Sequence, residues 1–173
     1  MAAPDQPAGT AHGAADAVPS PTIHASALLI GRHGLLIRGP SGSGKSQLTL
    51  ALLQAASLGA IPGFARLVGD DRIHLQAVHG RLLMRPAQTL QGQIEVRGLG
   101  IVRLPYEPVA VASLVIDLDA PDGARLPQET ALQTCISNVV LARLPVAPGA
   151  DPVALLRCYC LGKPELKGLT DAG

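Results

Sequence analysis

At 173 residues the chain is long enough for one domain with its own core, and 47% hydrophobic against 2% aromatic residues makes that core one of Leu, Val, Ile and Ala. A formal net charge of +1, with no local cluster of Lys or Arg, excludes the basic footprint of a nucleic-acid binder. No run approaches the roughly 20 apolar residues of a membrane span, and the N-terminus lacks a secretory pattern.

The three cysteines, Cys135, Cys158 and Cys160, have no CxxC spacing and cannot form a complete set of disulfides. They are expected to be small buried hydrophobes in a reduced, cytoplasmic protein.

Residues 1–21 are a mixture of Ala, Pro, Gly and Asp with almost no large apolar side chain. They read as a disordered tail, and residues 22–173 as the folded domain. Two apolar runs, 23–30 and 35–38, flank Gly31-Arg32-His33-Gly34 and predict a hairpin. A helix follows over 45–58, polar on one stripe at Gln47, Gln54 and Ser57, buried around most of its circumference and stopped at Gly59. The short strand 66–69 ends in Asp70-Asp71. A hairpin is expected over 73–78 and 81–84, turning at His79-Gly80, and then a Gly-interrupted run over 94–102. Residues 111–118 form a strongly apolar strand, and 135–144 hold one further strand. A last helix over 151–161 has Asp151 as its N-cap and Pro152 in first position. The sum is an α/β domain richer in strands than a simple alternating fold.

Between the first hairpin and the first helix lies Gly39-Pro40-Ser41-Gly42-Ser43-Gly44-Lys45-Ser46, a complete GxxxxGK[ST] pattern in a strand-loop-helix setting. Its glycines let successive backbone N–H groups turn toward a polyphosphate at the positive end of the following helix. Lys45 is placed to reach the β- and γ-phosphates, and the Ser46 hydroxyl to ligate Mg²⁺. Asp70-Asp71, at the end of a downstream strand, allows a division of labour. One carboxylate faces the metal and the other takes the proton of an incoming hydroxyl. Asp-Asp also opens ordinary turns, and it is the upstream loop that favours chemistry here. Glu95 and Arg97, two apart, project from one face of a strand, where they suit a metal and a phosphate or an ordinary surface ion pair.

These residues together resemble the catalytic domain of HPr kinase/phosphorylase, particularly the short proteobacterial form that lacks the N-terminal domain. The resemblance covers residues 23–161. It rests on His24, the GxxxxGKS loop, Leu67-Val68-Gly69-Asp70-Asp71, and Ile94-Glu95-Val96-Arg97-Gly98-Leu99-Gly100-Ile101-Val102, where the family reads nearly EIRGLGI. It implies a mixed sheet with flanking helices around a phosphate loop, the fold shared with phosphoenolpyruvate carboxykinase. It implies ATP on residues 39–46, Mg²⁺ on Ser46 and Glu95, Asp71 as proton acceptor from the target serine, and His24 beside it, which leaves Asp70 as the metal-facing member of the acidic pair. Arg125, in Gly123-Ala124-Arg125-Leu126, resembles the flexible-loop arginine that completes the site. His33, His74 and His79 match nothing.

The implied activity is ATP-dependent phosphorylation of a serine on an HPr-like phosphocarrier, with phosphorolysis of that phosphoserine as the reverse arm and a hexamer as the assembly. Two departures bear on this. Where many members carry PVRPGR, this chain has Pro145-Val146-Ala147-Pro148-Gly149-Ala150, so two arginines are absent and phosphorolysis is expected to be weak. Gln47 also replaces a usual acidic residue. A small-molecule kinase on the same scaffold and a nucleotide-dependent sensor that transfers nothing are the competing readings.

Overall fold

The computed structural model describes residues 21–161 other than Pro62, with only the backbone of 160 and 161. All of the expected tail but Pro21 therefore lies outside the described residues, as does 162–173.

The chain opens with strands β1 (Thr22–His24), β2 (Ser26–Ile30) and β3 (His33–Arg38). The apolar run expected as one strand over 23–30 is thus two, divided at Ala25. β2 pairs with β3, whereas β1 departs to pair with β5 (Arg72–Val78). Both pieces are apolar, so hydrophobicity alone does not reveal the break. β3 leads through the glycine-rich loop into helix α1 (Lys45–Ser57), after which β4 (Ala65–Gly69) returns antiparallel to β2. β5 and β6 (Arg81–Pro86) form the expected hairpin, with His79 and Gly80 both at positive φ, 48° and 74°.

Strands β7 (Gln93–Val96) and β8 (Gly100–Arg103) form a separate two-stranded sheet. β9 (Ala110–Asp117) crosses the middle of the main sheet. Residues 135–144, expected to contain one strand, form most of a hairpin of β10 (Gln133–Ile136) and β11 (Val139–Pro145). Its turn is Ser137-Asn138, at φ 51° and 62°, a two-residue connection whose sequence lacks the usual glycine. Helix α2 (Pro152–Leu161) closes the described chain, and the Asp151 carboxylate accepts from the N–H groups of Val153 and Ala154 at 2.9 and 3.2 Å, as its sequence predicts.

The main sheet has nine strands, running β1-β5-β6-β9-β3-β2-β4, with the β10–β11 hairpin joined to β9 through β11. β3 and β11 both lie parallel to β9, and the remaining named pairings within it are antiparallel. Two apolar clusters fill the domain. One packs Leu48 and Leu52 of α1 and Leu156 of α2 onto Leu35, Ile37, Leu114 and Ile116. The other draws on Leu36, Ile73, Leu82, Met84 and Val115 and contains no helical residue, so the curl of the sheet itself closes it.

A bulge at Ser113 switches β9 between the two. Gly34 pairs with Ala112 but Leu35 with Leu114, leaving Ser113 as the extra residue, with its hydroxyl 3.2 Å from the Gly34 carbonyl.

Two expectations fail at this level. α1 buries only Lys45, Leu48, Thr49 and Leu52, because the sheet covers one of its sides and α2 touches it only locally. Cys135 and Cys158 are exposed free thiols rather than core residues. Cys135 lies on the β10–β11 hairpin but belongs to neither apolar cluster, and the side chain of Cys160 lies outside the described residues.

Candidate active site

The loop after β3 takes its shape from glycine. A Cβ at Gly39 would meet Ser43 Oγ at 2.6 Å and the Leu118 carbonyl oxygen at 3.1 Å, so the close approach of the loop to the end of β9 requires its absence. Gly44 caps α1 at φ 91° with no side-chain cap, and the first turn of the helix carries no acid. No side chain of the helix itself caps those backbone N–H groups, which suits an anion. Ser43 Oγ, inside the same loop, is buried without a hydrogen-bond partner among the described residues. A polar atom in that position fits a polyphosphate held by the loop.

Lys45 is buried, with Nζ 3.0 Å from the Gly39 carbonyl oxygen and 2.9 Å from that of Pro40. Burial lowers its pKa, opposed by the charges of Asp70 and Asp71. The lysine thus folds across the mouth of its own loop, on the side facing the acidic pair.

Asp70 and Asp71 follow β4 and diverge. Asp70 is 5% exposed, and its carboxylate accepts from Ser46 Oγ, 3.0 Å from Oδ1 and 2.8 Å from Oδ2. The Glu95 backbone N–H lies 3.4 Å from Oδ2, and the buried Ser26 hydroxyl donates to Oδ1. Asp71 turns the other way. It sits at φ 69°, a left-handed conformation that carries some strain even for Asp, and its side chain is 58% exposed. His24 Nε2 lies 3.4 Å from one of its oxygens and Arg72 Nε 3.7 Å from the other. The pairing of β1 with β5, which sets His24 opposite Arg72, is what brings the histidine there.

Lys45, Ser46, Asp70, Asp71, Glu95, Arg97 and His24 all line one cleft of about 820 Å³. That volume lies within the roughly 300–1,000 Å³ usual for small-molecule sites. The β7–β8 hairpin forms one wall. Glu95 and Arg97 both line the cleft, but β7 ends at Val96 and Arg97 lies in the turn, so the two do not share a strand face, contrary to what their spacing predicts. Arg125 stands apart. It is exposed, in a turn after β9, and does not line the cleft. Ala147 and Ala150 do not line it either.

Among the described residues no three His, Cys, Asp or Glu side chains come together as a chelating group. The oxygen donors on the cleft wall, the adjoining Ser46 and Asp70 with Glu95 on the β7–β8 side, are hard oxygens. Such a set fits Mg²⁺, which takes one or two carboxylates and completes its shell with phosphate oxygens and water.

Sequence reasoning missed two features. One is Ser26, hidden in an apolar strand. The other is a cluster beside the loop. Arg38 donates to both oxygens of Asp117 at 2.7 Å, and Arg143 donates to Asp117 at 2.5 Å and to the Asp122 carboxylate at 2.6 and 3.0 Å. Burial pushes the Asp117 carboxyl up, but hydrogen bonds from Arg38 and Arg143 outweigh it and hold the carboxyl below its ordinary range. The Asp122 hydrogen bond in turn raises Arg143, so the guanidinium stays charged. No local pattern marks these residues, since strand register alone brings them together.

Comparison with known proteins gives a consistent picture. The family model described as HPr Serine kinase C-terminal domain matches residues 16–158. The HPr kinase/phosphorylase of Clostridium tetani is 38% identical over 72 residues, 42% of this chain and 21% of that protein. That of Halalkalibacterium halodurans is 28% identical over 151 residues, 80% of this chain and 46% of its own length. The chain thus spans less than half the length of these curated relatives. The solved structure of the Hpr(Ser) kinase/phosphatase from Coxiella burnetii matches with a TM-score of 0.64 at 26% identity, over 81% of this chain and 96% of that one. The mixed α/β fold with a curled central sheet and few helices is common to both.

Proposed function

Because the chain belongs to the HPr serine kinase C-terminal domain family, we propose that it is an ATP- and Mg²⁺-dependent kinase acting on a serine of an HPr-like phosphocarrier protein. The observation that carries this reading is the splitting of the acidic pair. Asp70 is buried against Ser46, whereas Asp71 is open to the cleft beside His24.

In this reading the loop from Gly39 to Ser46 and the Lys45 ammonium hold the ATP phosphates. Ser46, Asp70 and Glu95 would hold Mg²⁺, whose charge would offset that of the phosphates when bound. Asp71 accepts the serine proton, and His24, within reach of its carboxylate, keeps that oxygen oriented. The openness of Asp71 suits a protein substrate whose own surface shuts out water on docking. Arg125, on its exposed turn, reaches the site only if that turn moves when the partner binds. In the reverse direction Asp71 returns the proton. Phosphorolysis is weak because Ala147 and Ala150 supply no donors for inorganic phosphate.

We also read the active form as a cytoplasmic homo-oligomer, a hexamer. The exposed Leu99, Ile101, Leu126 and Val140 offer apolar surface for such contacts. Among the described residues no helix is long and apolar enough to cross a membrane.

A sensor that transfers nothing has no use for a strained, exposed aspartate beside a histidine, which favours the kinase over that alternative. The test is Asp71→Asn. It is expected to lower phosphoryl transfer to the carrier by about 10²–10⁴-fold while nucleotide affinity stays within a few-fold. Unchanged transfer would remove Asp71 as the base. Labelling of a metabolite with none of the carrier would favour the small-molecule kinase.

A further inference from the structure

The buried hydroxyl of Ser26 has no part in the chemistry described so far. It lies on β2, is fully buried, and donates to Asp70 Oδ1. Strand register explains how it arrives there. β2 and β4 run antiparallel with Ala27 opposite Gly69, so continuing the ladder by one step sets Ser26 opposite Asp70. The contact joins residues 44 apart in sequence, one step past the last paired rung, where β4 has given way to the acidic turn.

Asp70 needs such a partner. A carboxylate 5% exposed cannot rely on water, and Ser46 has a single proton to share between its two oxygens. Glu95 contributes only a long backbone contact of 3.4 Å. Ser26 is therefore the donor that fixes Oδ1 and orients the plane of the carboxylate, leaving Oδ2 for Ser46.

We propose that Ser26 is a positioning residue for the metal-binding group: by holding Asp70 from behind, its hydroxyl presets Ser46 and Asp70 for a divalent cation. The inference rests on the kinase reading above, in which Ser46 and Asp70 hold Mg²⁺. Outer hydrogen bonds of this kind orient the groups that face a metal, and their loss typically costs about 10–100-fold in metal affinity.

The test compares wild type with Ser26→Ala and Ser26→Cys, the latter filling the same space with a weak donor. Binding of Mn²⁺ in the presence of ATP is measured by electron paramagnetic resonance, and ATP binding is measured separately in EDTA. Both variants are expected to bind Mn²⁺ at least about 10-fold more weakly, with metal-free ATP affinity within about twofold of wild type. Equal losses with and without metal would mark Ser26 as merely structural and overturn the proposal, as would wild-type Mn²⁺ affinity in a folded Ser26→Cys. Should wild type itself bind no Mn²⁺ with ATP, the kinase reading fails first, and that outcome is distinct from a defect confined to the variants.

Discussion

Lys45 and Asp70 carry opposite charges at the same cleft, yet each is buried and each is held by its own set of neighbours, carbonyl oxygens for the lysine and hydroxyls for the aspartate. Such groups work by being fixed in advance, so removing one costs binding rather than fold. Lys45→Ala is expected to weaken ATP binding by at least about 10-fold in a calorimetric titration, the loss of a charge-assisted contact of about 1.5–3 kcal/mol. An unaltered titration would take the lysine away from the phosphates.

The Lys45 and Asp70 positions were legible in the sequence because their chemistry is local, a loop pattern and an acidic strand end. Ser26 was not, since nothing in Ser-Ala-Leu-Leu-Ile distinguishes a structural serine from one aimed at a carboxylate 44 residues away.

At the scale of elements, three strands meet at Asp117. Arg38 closes β3 just before the phosphate loop, Asp117 closes β9, and Arg143 of β11 reaches on to Asp122 and the Ala131 carbonyl oxygen. The clasp ties the start of the loop to the segment that carries Arg125. Asp117→Asn leaves two guanidinium groups facing a neutral amide and is expected to lower unfolding free energy by about 2–3 kcal/mol in urea denaturation.

The pH dependence has a defined sign. Asp117 has its carboxyl held below the ordinary range, so the stability it adds is complete above that range and is lost as pH falls through the folded-state value. Wild type should therefore lose stability on acidification more steeply than Asp117→Asn, and parallel curves would contradict the clasp. Gly34 offers a backbone test at the other end of the same strand pair. A Cβ there would lie 2.1 Å from the Val111 carbonyl oxygen, so Gly34→Ala should lower the melting midpoint sharply, with a cost of about 3 kcal/mol or more. A wild-type midpoint would mean that β3 and β9 can separate there.

Hairpins and helices were readable where turn residues punctuate an apolar pattern, as at His79-Gly80 and Asp151-Pro152. They were misread where the pattern runs on without punctuation. The break at Ala25 falls inside one apolar stretch, and the turn at Ser137-Asn138 uses left-handed residues without glycine.

Taken whole, the molecule is a curled mixed sheet that gathers its chemistry at one cleft, between the loop after β3, the acidic end of β4, the tip of β1 and the β7–β8 hairpin. Four separate stretches of sequence meet there, and their convergence was foreseen only through resemblance to a family. Composition and spacing gave the loop and the acids but not the order of the strands, because parallel pairing of β3 and β11 with β9 depends on contacts far apart in the chain.

Under the proposed function two reactions can be assayed, a forward transfer expected to be robust and a reverse one expected to be weak. Phosphoserine carrier mixed with inorganic phosphate should release pyrophosphate slowly, and brisk release in a coupled assay would overturn the reading of Ala147 and Ala150. The forward arm is the more direct test. Mass spectrometry of an intact HPr-like carrier after incubation with this protein, ATP and Mg²⁺ should show one added phosphoryl group on a serine, and a carrier of unchanged mass would contradict the kinase.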